Sequence, residues 1–321
     1  VDDVGGLAML HTMMDRGEAE LLAVVVSESV HFYDGLWGPP LVDVINTHYG
    51  RPDLPIGVFR GPHQDIGCQG HYAEKVVRAG FPHDLTSGAD APDGWKVYRK
   101  VLAAQPDDSV VIISVGYLTN LAELLKSQPD EISPLSGRAL VERKVKEWSC
   151  MGGGYPDSGP GSEFNTGHYP VHSEEVINGW PGRAVFGGYE LGRQYKTGAI
   201  LQSKQDPKAS PVAMSFLHYN GGKQRESWDE LAVLYGVRGL AWGGVTYFKA
   251  VTGGTNTFRR LGMTWPKSTL EKSQNTWVTT TVREHAYLVP AAPTPDVESV
   301  MDELMAAGPR AATTNGATRK P

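Results

Sequence analysis

Four short stretches of the 321-residue chain place acidic, amide or aromatic side chains beside turns or at the start of an apolar segment. They are the pair Asp2-Asp3, the turn 114–122 with the sequence Ser-Val-Gly-Tyr-Leu-Thr-Asn-Leu-Ala, Glu163-Phe164-Asn165 in a loop rich in glycine and proline, and Trp228-Asp229. Polar side chains at such positions can line a ligand pocket, because ligands of α/β sheets bind where strands end and helices begin. The four stretches are therefore the candidate chemistry of the chain.

Each stretch taken alone also has a purely structural interpretation. Asp2 and Asp3 can serve as an N-cap and a first-turn acid, which stabilises a helix by up to about 1 kcal/mol each. The glycine turn is a common connection between a strand and a helix, and Glu163 and Asn165 could form a surface turn. Asp229 could likewise be a capping acid. The functional interpretation depends on the four occurring together.

Short apolar runs and helical patterns alternate through the first two thirds of the chain, and these elements must position the four stretches. The runs 20–27, 54–59, 109–115 and 146–151 predict buried strands. Helical patterns cover 3–16, 40–49, 70–79, 94–104, 118–126, 137–145, 227–237 and 296–307. Alternation of this kind predicts an α/β fold, Rossmann-like, with a mostly parallel central sheet flanked by helices. Ligands of such sheets bind at the carboxyl ends of the strands.

Composition limits the classes of protein to which the chain can belong. The formal net charge is −6 and the basic residues are scattered, which argues against a nucleic-acid surface. The apolar runs are far too short to cross a membrane. Without a linker or a repeat, one domain over residues 1–307 is expected, and residues 308–321 have the composition of a disordered tail.

In order and spacing, the four stretches together resemble the inosine-uridine-type nucleoside hydrolase family. That family ends its first strand with Asp-x-Asp-x-x-x-Asp-Asp, and Asp2-Asp3 is similar to the final pair. Residues 116–122 resemble its Gly-x-Leu-Thr-Asn-x-Ala turn, and residues 151–153 and 163–165 resemble its Met-Gly-Gly and Glu-Phe-Asn elements. Trp228-Asp229 resembles its late metal-binding position. The similarity extends from Asp2 to about residue 307.

The resemblance implies a metal-dependent enzyme that hydrolyses ribonucleosides to ribose and free base. Calcium would be held by the Asp3 and Asp229 carboxylates and the Val115 carbonyl, as suits an ion with six to eight oxygen ligands. The resemblance implies that the ribose and base are bound by a second set of residues: Asp2, Met151, Glu163, Asn165, Trp228 and His83. A homodimer or homotetramer is also implied, with a small nucleoside as the only partner.

Two positions bear on the preferred base. Trp228 stands where pyrimidine-accepting members carry histidine, and a tryptophan there resembles the purine-specific branch, whose indole stacks on the base; the alternative is a packing residue. His83 lies near a position where some relatives place an active-site histidine, although a solvated loop histidine is the commoner case. Because of Trp228, we expect purine ribosides to be the preferred substrates.

The family's catalytic base and one further metal ligand lie among acids that would precede Val1. We expect that a first strand carrying these acids is missing from residues 1–321, and its loss would leave a buried slot in the sheet. Residues 1–321 alone are then expected to bind calcium weakly and to hydrolyse ribosides slowly or not at all. The alternatives are a complete but inactive chain, a silent riboside or sugar sensor, and a hydrolase of another ribosyl compound. The cellular compartment stays open.

Overall fold

The computed structural model describes residues 1–63, 71–161, 163–264, 270–291 and 296–310. The strands are β1 Val24–Ser29, β2 Ile56–Phe59, β3 Val110–Ser114, β4 Val145–Met151, β5 Ala184–Gly187, β6 Lys196–Thr197, β7 Arg225–Glu226, β8 Ala241–Trp242, β9 Val245–Thr246, β10 Phe248–Thr264, β11 Glu271–Val278 and β12 His285–Pro290. The helices are α1 Asp2–Asp15, α2 Tyr33–His48, α3 Tyr72–Val77, α4 Gly94–Ala104, α5 Thr119–Lys126, α6 Gly137–Lys144, α7 Phe164–Gly167, α8 Pro170–Gly179, α9 Tyr189–Gly192, α10 Leu201–Lys204, α11 Pro211–Asn220, α12 Trp228–Arg238 and α13 Val297–Ala306, with a 3₁₀ turn at Gly88–Asp90.

The central sheet is mostly parallel, as the sequence predicts. Its larger part has the strand order β11-β10-β12-β5-β4-β3. Strands β3, β4, β5 and β12 run parallel to one another, and β10 pairs antiparallel with both β12 and β11. Strands β1 and β2 form a separate parallel pair. Helices flank these strands, which confirms the predicted α/β class.

Among the described residues, no ladder of hydrogen bonds joins β1 to β3. A cavity of about 890 Å³ lies between these strands and is lined by both of them, with apolar side chains of α1, α2, α4 and α12 completing the walls. The carboxyl ends of β1 and β3 come together within this cavity, where Ser27 Oγ accepts a hydrogen bond from the Tyr117 backbone N–H at 3.0 Å.

The first half of the sheet follows the predicted elements closely. Strands β2, β3 and β4 differ from prediction by only one or two residues, whereas β1 begins four residues later than predicted and ends two later. Helix α4 has the predicted bounds. Helix α2 begins at Tyr33 rather than at Pro40, because Pro39 and Pro40 lie inside the helix instead of in its first turn.

The antiparallel part of the sheet is not predicted from the sequence. Strands β10 and β11 are rich in Thr, Asn and Gly and have several exposed positions, so they lack the apolar runs by which buried strands are recognised. Helices α8 and α11 were also missed, although each begins with proline in its first turn, and Ser210 caps α11 by accepting from the Ala213 N–H. Pattern alone did not separate these segments from loops.

Two large apolar clusters hold the layers together. One packs α1, α11, α12 and α13 around residues such as Met9 and Leu234, and the other surrounds Trp148, whose indole N–H donates to Ser114 Oγ at 2.8 Å. No helix in the described part of the chain is long and apolar enough to cross a membrane. Most of the predicted tail, residues 311–321, lies outside the described residues.

Candidate active site

Three carboxylates meet at the amino ends of α1 and α12. One oxygen from each of Asp2, Asp3 and Asp229 lies within 4.8 Å of the others. Asp2 and Asp229 are buried, while the Asp3 side chain is 60% exposed. Burial raises the pKa of Asp229 well above its usual range, and the Asp2 and Asp3 carboxylates beside it raise that pKa further. Val1 is the N-cap residue of α1, so Asp2 and Asp3 lie in the first turn of that helix and neither is its N-cap.

A cationic side chain lies close to this acidic cluster. Arg225 Nε donates to Asp2 Oδ1 at 2.9 Å, and its guanidinium lies 4.9 Å from the centre of the Tyr219 ring. Arg225 does not hydrogen-bond to Asp229, and no other hydrogen bond to the Asp229 carboxylate is found among the described residues. The Arg225 contact was not predicted.

The donor set fits a hard divalent cation. Asp229 is a buried carboxylate without a hydrogen-bond donor in the described part of the chain, and such a group needs a compensating positive charge. Asp3 offers a second carboxylate from the solvent side. Val115, which follows β3, lines the same cavity and can contribute a carbonyl oxygen. Oxygen ligands of this kind are those preferred by calcium and magnesium.

The glycine turn after β3 joins the two parts of the sheet. Thr119 Oγ1 donates to the Ser27 carbonyl at 2.7 Å, and Asn120 Nδ2 donates to the Val26 carbonyl at 2.9 Å. A Cβ at Gly116 would lie 2.5 Å from Ser27 Oγ, so a larger residue there would push aside the hydroxyl that accepts from the Tyr117 N–H. The Thr-Asn pair therefore holds the carboxyl ends of β1 and β3 together.

Met151, Glu163 and Asn165 form one wall. Asn165 Nδ2 donates to the carbonyls of Val115 at 3.1 Å and Met151 at 3.3 Å. Glu163 caps α7 by accepting from the backbone N–H groups of Asn165 and Thr166, and it also accepts from the Gly153 N–H. Met151 and Asn165 line the cavity, whereas Glu163 lies behind them and is not among its lining residues.

Trp228 stands at the mouth of the same site. Its ring is stacked on Tyr189, with centroids 5.4 Å apart and planes 11° from parallel, and its Nε1–H donates to the Tyr189 carbonyl at 2.9 Å. The Arg225 guanidinium lies 5.4 Å from the Trp228 ring. The indole is half-buried and lines the cavity. The Trp228 ring therefore packs on Tyr189 and still presents part of its surface to the cavity.

His83 is not brought to this site. Its Nδ1 lies 2.8 Å from the Phe81 carbonyl in its own loop, and it is absent from the residues that line the cavity. The substrate-binding roles of His83 and Glu163 stay predictions.

Glu28 lines the cavity and was overlooked by the sequence analysis. It directly follows the predicted strand 20–27, so inspecting the residue after each strand would have found it.

Comparison with solved structures identifies the architecture. A plant nucleoside hydrolase, PpNRh1, is 15% identical to the chain, with a TM-score of 0.61 over 95% of this chain and 96% of its own. A purine-preferring ribonucleoside hydrolase from Gardnerella vaginalis is 14% identical, with a TM-score of 0.60 over 94% of both chains. The type III effector XopQ, solved with adenosine diphosphate ribose, is 12% identical, with a TM-score of 0.58 over 95% of this chain and 88% of its own.

No protein-family model matches the sequence, and no curated protein matches it either. The likeness is therefore one of fold, and it spans nearly the whole chain. The chain has the nucleoside hydrolase fold.

Proposed function

We propose that this protein is a metal-dependent nucleoside N-ribohydrolase that releases ribose and a free base, with purine ribosides as its preferred substrates. The observation that carries the proposal is the cluster of Asp2, Asp3 and Asp229 in a cavity that Trp228 also lines. A sugar diol and a cation suit the carboxylates, and a planar base suits the indole. Both kinds of group occur in one small ligand, a riboside.

Calcium is the metal we propose, held by the carboxylates of Asp3 and Asp229 and by the carbonyl of Val115. When bound, it would supply a Lewis-acidic centre that orients the ribose hydroxyls and the attacking water. The Asn165 amide fixes the Val115 carbonyl, because its Nδ2 donates to that oxygen at 3.1 Å. The amide thereby orients one of the proposed ligands.

The protein's own groups stabilise the transition state. Cleavage of an N-glycosidic bond develops positive charge on the sugar ring, and Asp2 is placed to accept hydrogen bonds from ribose hydroxyls while its negative charge offsets that cation. Trp228 presents its half-buried ring, and stacking of a base on such a ring is worth roughly 1–3 kcal/mol. The proposed purine preference depends on this stacking.

The experiment is a panel of purine and pyrimidine ribosides assayed for released reducing sugar, with calcium and with chelator. The full-length protein is used, expressed from its natural start codon. We expect calcium-dependent release of ribose, fastest from purine ribosides. The matched control is Asp53→Asn, a change at an exposed turn. Absence of product from every nucleoside would contradict the proposal.

A second candidate is a riboside sensor that binds without a metal. The Arg225–Asp2 ion pair favours it, because the guanidinium already neutralises one carboxylate of the cluster. Calorimetry with inosine distinguishes the two functions. Binding that is unchanged by chelator, with no base released, supports the sensor, whereas binding that requires calcium and is followed by cleavage supports the enzyme.

A further inference from the structure

Glu28 is a buried acid at the carboxyl end of β1, and it lines the cavity that holds the proposed ribose site. Asp2, Asp3, Asp229 and Trp228 line the same cavity, but Glu28 reaches it from a different element. The three clustered carboxylates come from the amino ends of helices, whereas Glu28 lies in the last part of a strand. A substrate held by the acidic cluster would therefore meet Glu28 on another side.

The two oxygens of Glu28 have different surroundings. Oε1 accepts hydrogen bonds from the Ser29 backbone N–H at 2.7 Å and from the Tyr169 hydroxyl at 3.0 Å, and His63 Nδ1 lies 3.7 Å from the same oxygen. Oε2 accepts no hydrogen bond from any residue that the structure describes. One oxygen is thus fixed by the protein, and the other stays available to a ligand.

We propose that Glu28 is the acid that protonates the departing base, through Oε2. The role rests on the proposed function, since it needs a glycosidic bond to break in this cavity. As the C1′–N bond breaks, its electron pair passes to the nitrogen of the base, which takes the proton from Oε2. Water adds its oxygen to C1′ and loses a proton to solvent, and Glu28 is protonated again from solvent.

The electrostatics of the pocket agree with this role. Burial raises the pKa of Glu28 to about 7, although the hydrogen bonds from Ser29 and Tyr169 oppose the rise. An acid of that strength is well matched to proton transfer near neutral pH. The other titratable groups that face Glu28 are Asp34 from α2, His63 from the segment after β2, Tyr117 from the turn after β3 and Tyr169 at the start of α8.

The first test uses Glu28→Gln in the full-length protein with two substrates. A purine riboside needs its leaving group protonated, whereas a nitrophenyl riboside leaves as a stable anion. We expect kcat to fall about 10²–10⁴-fold for the purine riboside, the usual contribution of a general acid, and less than about 10-fold for the nitrophenyl riboside. Glu123→Gln, a half-buried glutamate on α5, is the control and should change neither rate.

The second test uses Tyr169→Phe, which retains the carboxyl group. Since the Tyr169 hydrogen bond lowers the pKa of Glu28, its loss should raise that pKa and move the alkaline limb of the purine-riboside pH profile to higher pH. A merely structural role would leave the limb in place.

Different results overturn different claims. Equal losses on both substrates, or wild-type rates in Glu28→Gln, would overturn the role of Glu28 alone, as would an unmoved alkaline limb. A wild-type protein that hydrolyses neither riboside would overturn the proposed function and this role with it.

Discussion

Replacing Asp229 by asparagine should stabilise the protein when calcium is absent. The oxygens of Asp2, Asp3 and Asp229 lie within 4.8 Å of one another, and Asp229 is buried. At that separation and an effective dielectric constant of about 20, each charged pair repels by roughly 3 kcal/mol. The Arg225 guanidinium, which pairs with Asp2, offsets part of this repulsion. We therefore expect a gain of about 1–2 kcal/mol in the free energy of unfolding, and a melting temperature higher by roughly 1.5–3 °C.

Calcium should reverse the order of the two proteins. A ligand at a hundred times its dissociation constant stabilises the folded state by about 2.7 kcal/mol. The wild-type protein should gain that amount, whereas Asp229→Asn, which lacks a proposed ligand, should gain little. The variant would then be the more stable protein in chelator and the less stable one in calcium.

Thermal melting of the full-length protein over a calcium titration measures both effects. Asp53→Asn, at an exposed turn, removes one negative charge far from the cluster and should follow the wild type in both conditions. The reasoning is refuted if Asp229→Asn melts below the wild type in chelator while calcium still raises its melting temperature as much as that of the wild type.

Three further predictions concern other parts of the site and the core. Trp228→Ala should raise KM for purine ribosides about 5- to 100-fold, because roughly 1–3 kcal/mol of stacking is lost. Steady-state kinetics with the panel of ribosides will measure this change. An unchanged KM would mean that the indole only packs on Tyr189. Glu163→Gln should lower the free energy of unfolding by about 1–3 kcal/mol, since an amide nitrogen cannot accept from the backbone N–H groups that the carboxylate caps. Equal urea midpoints for the variant and the wild type would contradict this expectation. Burial lowers the pKa of His11 from 6.5 to about 4, so the unfolded protein binds a proton at this residue more readily than the folded protein does. The free energy of unfolding should therefore fall by up to about 3 kcal/mol as pH falls from 6.5 towards 4. His11→Gln should lose less, as melting curves at several pH values will show.

Local pattern was sufficient to predict the parallel half of the fold. Apolar runs such as that of β3 can only be buried strands when helices alternate with them, and their carboxyl ends then meet at one edge. The strand pattern did not assign Asp3 and Asp229, which lie in the first turns of α1 and α12; the resemblance to nucleoside hydrolases placed them with Val115 in one expected site. Strand β10 could not be predicted in the same way, because its Thr, Gly and Asn residues are compatible with a loop until β11 and β12 pair with them.

Contacts set by distant segments could not be predicted either. Arg225 has no motif around it, and its ion pair with Asp2 joins residues 223 positions apart. The position of Glu163 shows a different limit. Its sequence neighbours identify the loop, but only the backbone geometry shows that its carboxylate is used to cap α7 rather than to line the cavity.

The hydrogen bonds between β1 and the turn after β3 have a dynamic consequence. They join the β1–β2 pair to that turn through Ser27 and Val26, which bond to Tyr117, Thr119 and Asn120. A ligand that contacts both Glu28 and Val115 would bridge the two units, so slowed amide exchange along β1 would report that the site is occupied.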